Sequence, residues 1–88
     1  MPNYQLKLAP AAVRQLNKLA KLIQQKIFRR CELLELNPRP MDCKKLSGSD
    51  SFYRIRMGDY RIIYTIQDKE LLILIVKIAH RKHIYRNI

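Results

Sequence analysis

Residues 52–64 read FYRIRMGDYRIIY. The flanks are β-branched or aromatic, and Gly58-Asp59 stands where a tight turn needs a residue tolerant of positive φ, so the stretch predicts a β-hairpin. Reversal at that dipeptide pairs Met57 with Tyr60, Arg56 with Arg61, Ile55 with Ile62 and Arg54 with Ile63. Side chains on a strand alternate between faces, which gives Tyr53, Ile55, Met57, Tyr60, Ile62 and Tyr64 one apolar side. The other side carries Arg54, Arg56 and Arg61. Like charges opposed across a ladder repel. Such a face is either simply solvated, as one side of an antiparallel sheet often is, or it waits for an anion. The clustering of guanidiniums in a strongly basic chain favours the anion.

The rest of the composition points the same way. Lys and Arg total 18 against 7 Asp and Glu, a formal charge of +11 on 88 residues. The excess is spread over both halves, with no linker or composition shift, and the length suits one domain over residues 1–88 with a single modest core. A positive surface of this kind concentrates polyanions, so nucleic acid or ribonucleoprotein is the leading partner class, although an acidic protein would be drawn by the same field. The longest apolar run, residues 71–76, is too short to span a bilayer, and the N-terminus lacks the apolar core of a signal peptide. A cytoplasmic protein with no membrane partner is expected. The two cysteines, Cys31 and Cys43, form neither a disulfide framework nor a zinc motif, and neither histidine has ligands at metal spacing, so no metal and no cofactor are expected.

Around the hairpin, residues 4–8 alternate apolar and polar as a half-buried strand does. Pro10 suits the first turn of a helix. Through residues 11–36 Val13, Leu16, Ala20, Ile23, Ile27, Cys31 and Leu34 recur at steps of three and four, the stripe of a core-facing helix. Leu19, Leu22 and Leu33 lie off that stripe. Folding the segment back near residues 19–21, into two antiparallel helices, would bury both apolar sides. Asn37-Pro38 ends the helical region, and residues 39–51 read as a loop pinned by Leu46. After the hairpin come a turn at residues 67–70 and a strand at 71–79 that is apolar on both faces, hence central. The tail, residues 80–86, is a short helix or an irregular end. The layout is α+β: an N-terminal strand, two helices, then a three-stranded antiparallel meander with the helices on one face of the sheet.

Three segments together resemble the RelE branch of the RelE/ParE toxin superfamily. They are Lys45-Leu46 with Gly48, the Y-R-x-R-x-G-D-Y-R-x-x-Y hairpin of residues 53–64, and the closing H-R-x-x-x-Y-R of residues 80–86. The similarity covers nearly the whole chain. It implies a toxin of a toxin-antitoxin pair that cuts messenger RNA in the ribosomal A site, contacts ribosomal RNA, and is silenced by a cognate RelB-like antitoxin. Carried over by position, Arg54, Arg56, Arg61 and Arg81 would bind the phosphate and stabilise the transition state, and Tyr85 would stack on a base or orient the 2′-hydroxyl. Lys45, Lys82, His83 and Arg86 would add RNA contacts.

Cleavage of this type needs no metal, because the RNA's own 2′-hydroxyl attacks the adjacent phosphorus. It does need a proton acceptor. The best-known members have lysines where this chain has Arg54 and Arg56, and arginine holds its proton too tightly to serve. His80 and His83 flank Arg81, and as imidazoles, the side chain commonest in proton transfer, they are the candidates the sequence offers, His80 first. Tyr4, Tyr53, Tyr60 and Tyr64 are expected in the core with bonded hydroxyls. Lys18, Lys21, Lys26, Arg29 and Arg30 form a solvated helix face able to touch ribosomal phosphate. Two other functions stay open: the gyrase-poisoning ParE branch, and an inactive relic that only binds an antitoxin.

Overall fold

The computed structural model describes residues 3–46, 48 and 51–83. The chain runs β1 (Gln5–Leu8), α1 (Pro10–Asn17), α2 (Lys21–Leu33), β2 (Lys44–Lys45), β3 (Phe52–Met57), β4 (Tyr60–Gln67) and β5 (Leu72–His80). The strands form one sheet in the order β1-β5-β4-β3-β2. The expected α+β order is present, with β5 an interior strand flanked by β1 and β4. The hairpin register is the one read from the sequence, with Met57 opposite Tyr60, Arg56 opposite Arg61, Ile55 opposite Ile62 and Arg54 opposite Ile63. Gly58 has φ +60° and supplies the left-handed turn residue.

Two strand expectations change. The sheet is mixed, because β1 pairs parallel with β5, Gln5 facing Leu72 through Leu8 facing Ile75. Parallel neighbours need a long crossover, and the helices that follow β1 supply it. The segment expected to be a loop, residues 39–51, contains the short edge strand β2, with Lys44 opposite Arg54 and Lys45 opposite Tyr53. Two lysines between polar neighbours carry no apolar alternation by which a strand is recognised.

The helical region breaks where expected, at residues 18–20, without a glycine or proline. The Leu19 amide donates to the Leu16 carbonyl at 3.1 Å, and the Gln24 side chain donates to the Leu19 carbonyl at 2.8 Å, which satisfies groups the helix end leaves open. α1 begins with Pro10 in its first turn. The break resets the helical phase, so the stripe read as continuous is not. Ala12 is fully buried, whereas Val13 is exposed. In α2 and its C-cap the stripe holds, with Ile27, Cys31 and Leu34 buried.

These helix residues pack on Tyr53, Ile55, Ile62, Tyr64, Ile73, Ile75 and Ile78 from one face of the sheet. Each fully buried aliphatic side chain of this kind contributes roughly 1.5–3 kcal/mol of hydrophobic stabilisation. All four expected tyrosines take the core side, Tyr53 and Tyr64 buried and Tyr4 and Tyr60 only partly so; Tyr64 donates its hydroxyl to the Pro38 carbonyl at 2.8 Å, and the Tyr4 hydroxyl donates to Asp68 at 2.6 Å near the surface. Asp68 also pairs with Arg39 at 3.0 Å, tying the segment after α2 to the β4–β5 turn. Burial pushes the Cys31 thiol up to about 12, in keeping with a small core hydrophobe. The second apolar side of the helices remains in solvent: Leu22, Phe28, Leu33 and Leu36 are exposed, Leu36 to 70%.

Inside β5 the pairing shifts by one residue. Lys77 faces Ile63, but Ile75 faces Tyr64, so Val76 is a β-bulge. Burial follows the shift, stepping by two from Ile73 to Ile75 and then by three to Ile78. Lys77 therefore leaves the core face that simple alternation would give it.

Candidate phosphate-binding face

On the face of the sheet away from the helix core, register lines up Lys44, Arg54, Ile63 and Lys77 across four strands. The next row is Arg56, Arg61 and Ala79. Lys44, Arg54, Arg56 and Arg61 line one cleft together with Asp42 and Ile55. Ile63, opposite Arg54 in the register, is fully buried although it faces away from the helix core.

Local contacts hold parts of the cleft in place. The Arg61 guanidinium donates to the Gly58 and Tyr60 carbonyls, both at 3.4 Å, and so folds back over the hairpin turn. Arg30, in the last turn of α2, donates through Nε to the Arg56 carbonyl at 3.2 Å and pairs through Nη2 with Asp42. The Asp42 carboxyl is held below the usual range chiefly by that guanidinium. The one acidic group lining the cleft is thus engaged by a helix arginine. A planar guanidinium can offer two parallel donors to phosphate oxygens and stays charged at every relevant pH.

The end of β5 returns to the same hairpin tip. The Arg81 amide donates to the Asp59 carbonyl at 2.8 Å, which puts the start of the tail beside the turn that Arg61 covers. Residues 81–83 form a turn, in which Lys82 and His83 are exposed. Tyr85 and Arg86 lie outside the described residues.

The structure brings Arg54, Arg56 and Arg61 together and sets two other expected residues apart from them. His80 pairs with Tyr60, and its ring meets the Tyr60 ring edge-on at 5.7 Å. That puts His80 on the helix side of the sheet, while its Nδ1 accepts the Lys82 amide at 3.3 Å. Lys45 lies with Nζ 5.9 Å from the centre of the Tyr53 ring, again on the side away from the arginine cleft. Its neighbour Lys44 takes the cleft position instead. Sequence reasoning missed Lys44 because β2 was not recognised, and missed Lys77 because a bulge controls its face. Among the described residues no three His, Cys, Asp or Glu side chains group as a metal site, and no helix is long and apolar enough to cross a membrane.

In sequence and fold the chain is similar to known toxins. Residues 6–85 match the family described as ParE toxin of type II toxin-antitoxin system, parDE. A protein described as a RelE-like toxin from Escherichia coli is 30% identical over 90% of this chain and 84% of its own length. Toxin RelE1 of Methanocaldococcus jannaschii is 41% identical, over 64% of this chain and just under two thirds, 66%, of its own length. The fold superposes on the crystal structure of the archaeal RelE-RelB complex from Pyrococcus horikoshii with a TM-score of 0.79 and 33% identity, over 90% of this chain and 96% of that one. The chain belongs to the ParE toxin family of type II toxin-antitoxin systems, and within the RelE/ParE superfamily it is a RelE-type toxin.

Proposed function

We propose that this toxin is a ribosome-dependent endoribonuclease that cuts messenger RNA in the ribosomal A site and so stops translation. The observation that carries the reading is the juxtaposition of Arg54, Arg56 and Arg61 on one cleft, with the backbone of Arg81 bonded to the hairpin turn beside them. In this reading the RNA 2′-hydroxyl attacks the adjacent phosphorus in line, and Arg54, Arg56, Arg61 and Arg81 hold the phosphate oxygens as charge builds in the transition state. Such preorganised donors contribute about a hundredfold or more each in comparable sites. Tyr85 stacks on a base or orients the 2′-hydroxyl, and Lys44, Lys82, His83 and Arg86 add phosphate contacts. His80, beside Tyr60, contributes to the shape of the tail more directly than to the cleft.

Purified toxin added to a translating extract is expected to cut message inside codons, and Arg61→Ala and Arg81→Ala are expected to abolish the cuts while leaving the fold intact. Intact message with folded toxin overturns the reading. Because the matching family is described by its ParE members, the same preparations belong in a gyrase supercoiling assay. Inhibition there, with message untouched, favours the protein-binding alternative, and unchanged growth on induced expression favours an inactive relic.

The Pyrococcus relative was solved with RelB, and the exposed Leu22, Phe28, Leu33 and Leu36 give this chain an apolar helix face to cover. An acidic antitoxin, partly disordered until bound, is drawn by the +11 charge and folds on that face. The reading makes the toxin cytoplasmic, where translating ribosomes are. Copurification of the toxin with the product of a neighbouring gene tests the partnership, and separate elution overturns it.

A further inference from the structure

We propose that Lys77 is the general base of the cleavage reaction, the group that takes the proton from the attacking 2′-hydroxyl. The inference rests on the endoribonuclease reading and fills the place that reading leaves empty. Arg54 and Arg56 cannot accept a proton near neutral pH, and His80 lies against Tyr60 on the helix side of the sheet.

Three observations converge on Lys77. The first is the bulge at Val76. With regular alternation Lys77 would share the core face with Ile73 and Ile75; the extra residue turns it onto the arginine face and sends Ile78 inward instead. Bulges concentrate beside active sites, where they re-aim a side chain.

The second is register. Lys77 lies in the row of Lys44 and Arg54, separated from Arg54 only by Ile63. Two strand spacings put their backbones about 10 Å apart, so two long side chains can reach one ribose-phosphate linkage from either side of Ile63, although Lys77 does not itself line the cleft.

The third is environment. Lys77 is half-buried, and desolvation holds its ammonium below the ordinary lysine range, which raises the fraction of neutral amine. Among the described residues, the charged side chains on its face of the sheet include Arg54 and Lys44 in its own row, Arg56 and Arg61 in the next and Lys7 on β1, together with the Asp42 carboxylate of the cleft, which pairs with Arg30; Arg14 belongs to α1, on the other face.

In the step, the neutral Lys77 amine takes the 2′-hydroxyl proton as the 2′-oxygen bonds to phosphorus. The bond from phosphorus to the 5′-oxygen breaks, and that oxygen takes a proton from water. The hydroxide so formed recovers the proton from the Lys77 ammonium. The products are a 2′,3′-cyclic phosphate and a 5′-hydroxyl, with no cofactor consumed.

The test is single-turnover cleavage of message on programmed ribosomes between pH 6 and pH 9, a range in which the neutral fraction of any lysine grows with pH. Wild type should quicken as pH rises. Lys77→Arg keeps the charge and loses the base, and is expected to slow by roughly a hundredfold or more with ribosome affinity unchanged. Lys77→Ala should lose the same rise with pH and regain part of its rate from added alkylamine. Should Lys77→Arg fail to fold, the pH profile of Lys77→Ala decides alone. Wild-type rates in Lys77→Arg, or a Lys77→Ala profile of wild-type shape, overturn the inference and leave the endoribonuclease reading standing. An inert wild type overturns both.

Discussion

Asp42 and Asp68 show how single residues hold the toxin's irregular segments. Each carboxyl is depressed below its ordinary value by an arginine, Arg30 for Asp42, and Arg39 first and Tyr4 second for Asp68. A group whose folded pKa lies below its unfolded one stabilises the fold fully above the unfolded value, and loses that contribution as pH falls through the folded value. Stability is therefore expected to be flat near neutrality and to decline between about pH 5 and pH 2, since unperturbed aspartate titrates near 3.9. Urea midpoints across that range should fall less steeply for an Asp42→Asn, Asp68→Asn double variant than for wild type. Equal slopes would mean that these pairs contribute nothing measurable, as many exposed pairs do not. The same pairs mark a limit of sequence reading: Arg30 was expected on a solvated helix face, yet it pairs with Asp42 and bonds the Arg56 carbonyl at 3.2 Å. Nothing in helical periodicity says which exposed cation will find a carboxylate from a loop.

Among the elements, β5 carries a more severe test. Val76 is the extra residue across whose bulge Ile73, Ile75 and Ile78 stay in the core and Lys77 out of it. Deleting Val76 removes the bulge itself and leaves Ile75 inward, Lys77 outward and Ile78 inward by plain alternation. The deletion variant is therefore expected to melt cooperatively by circular dichroism, as is Val76→Ala, which preserves the residue count. Loss of cooperative melting in the deletion variant alone would mean that the bulge does more than set the phase of the strand. Sequence alone resolved the hairpin residue by residue, because its glycine turn and alternating faces fix one register. It found the helix break because apolar residues lay on two sides. It could not resolve the phase of β5, where nearly every residue is apolar and either face accepts it. The parallel partner of that strand was equally hidden, since alternation in residues 4–8 says that β1 pairs but not with whom.

At the scale of the whole molecule, charge and chemistry are carried by different surfaces. The formal charge of +11 is distributed over helices and sheet alike, whereas the proposed reaction uses one face of the sheet. Helix cations that touch phosphate strengthen binding in proportion to the counterions they release, and removing one such cation should lower the slope of log affinity against log salt by about 0.7–0.9. Lys18, Lys21, Lys26 and Arg29 are exposed on the helix side. Replacing all four by glutamine is expected to weaken ribosome binding, to flatten its salt dependence, and to leave single-turnover cleavage at saturating ribosomes unchanged. Arg61→Ala should do the reverse, losing cleavage at saturation with a smaller change in affinity, because its guanidinium acts mainly as charge develops in the transition state. Parallel titrations of the two proteins over a salt series decide the matter. If the helix variant loses cleavage at saturation, the helices take part in positioning the message, and the division between a steering surface and a reacting face fails.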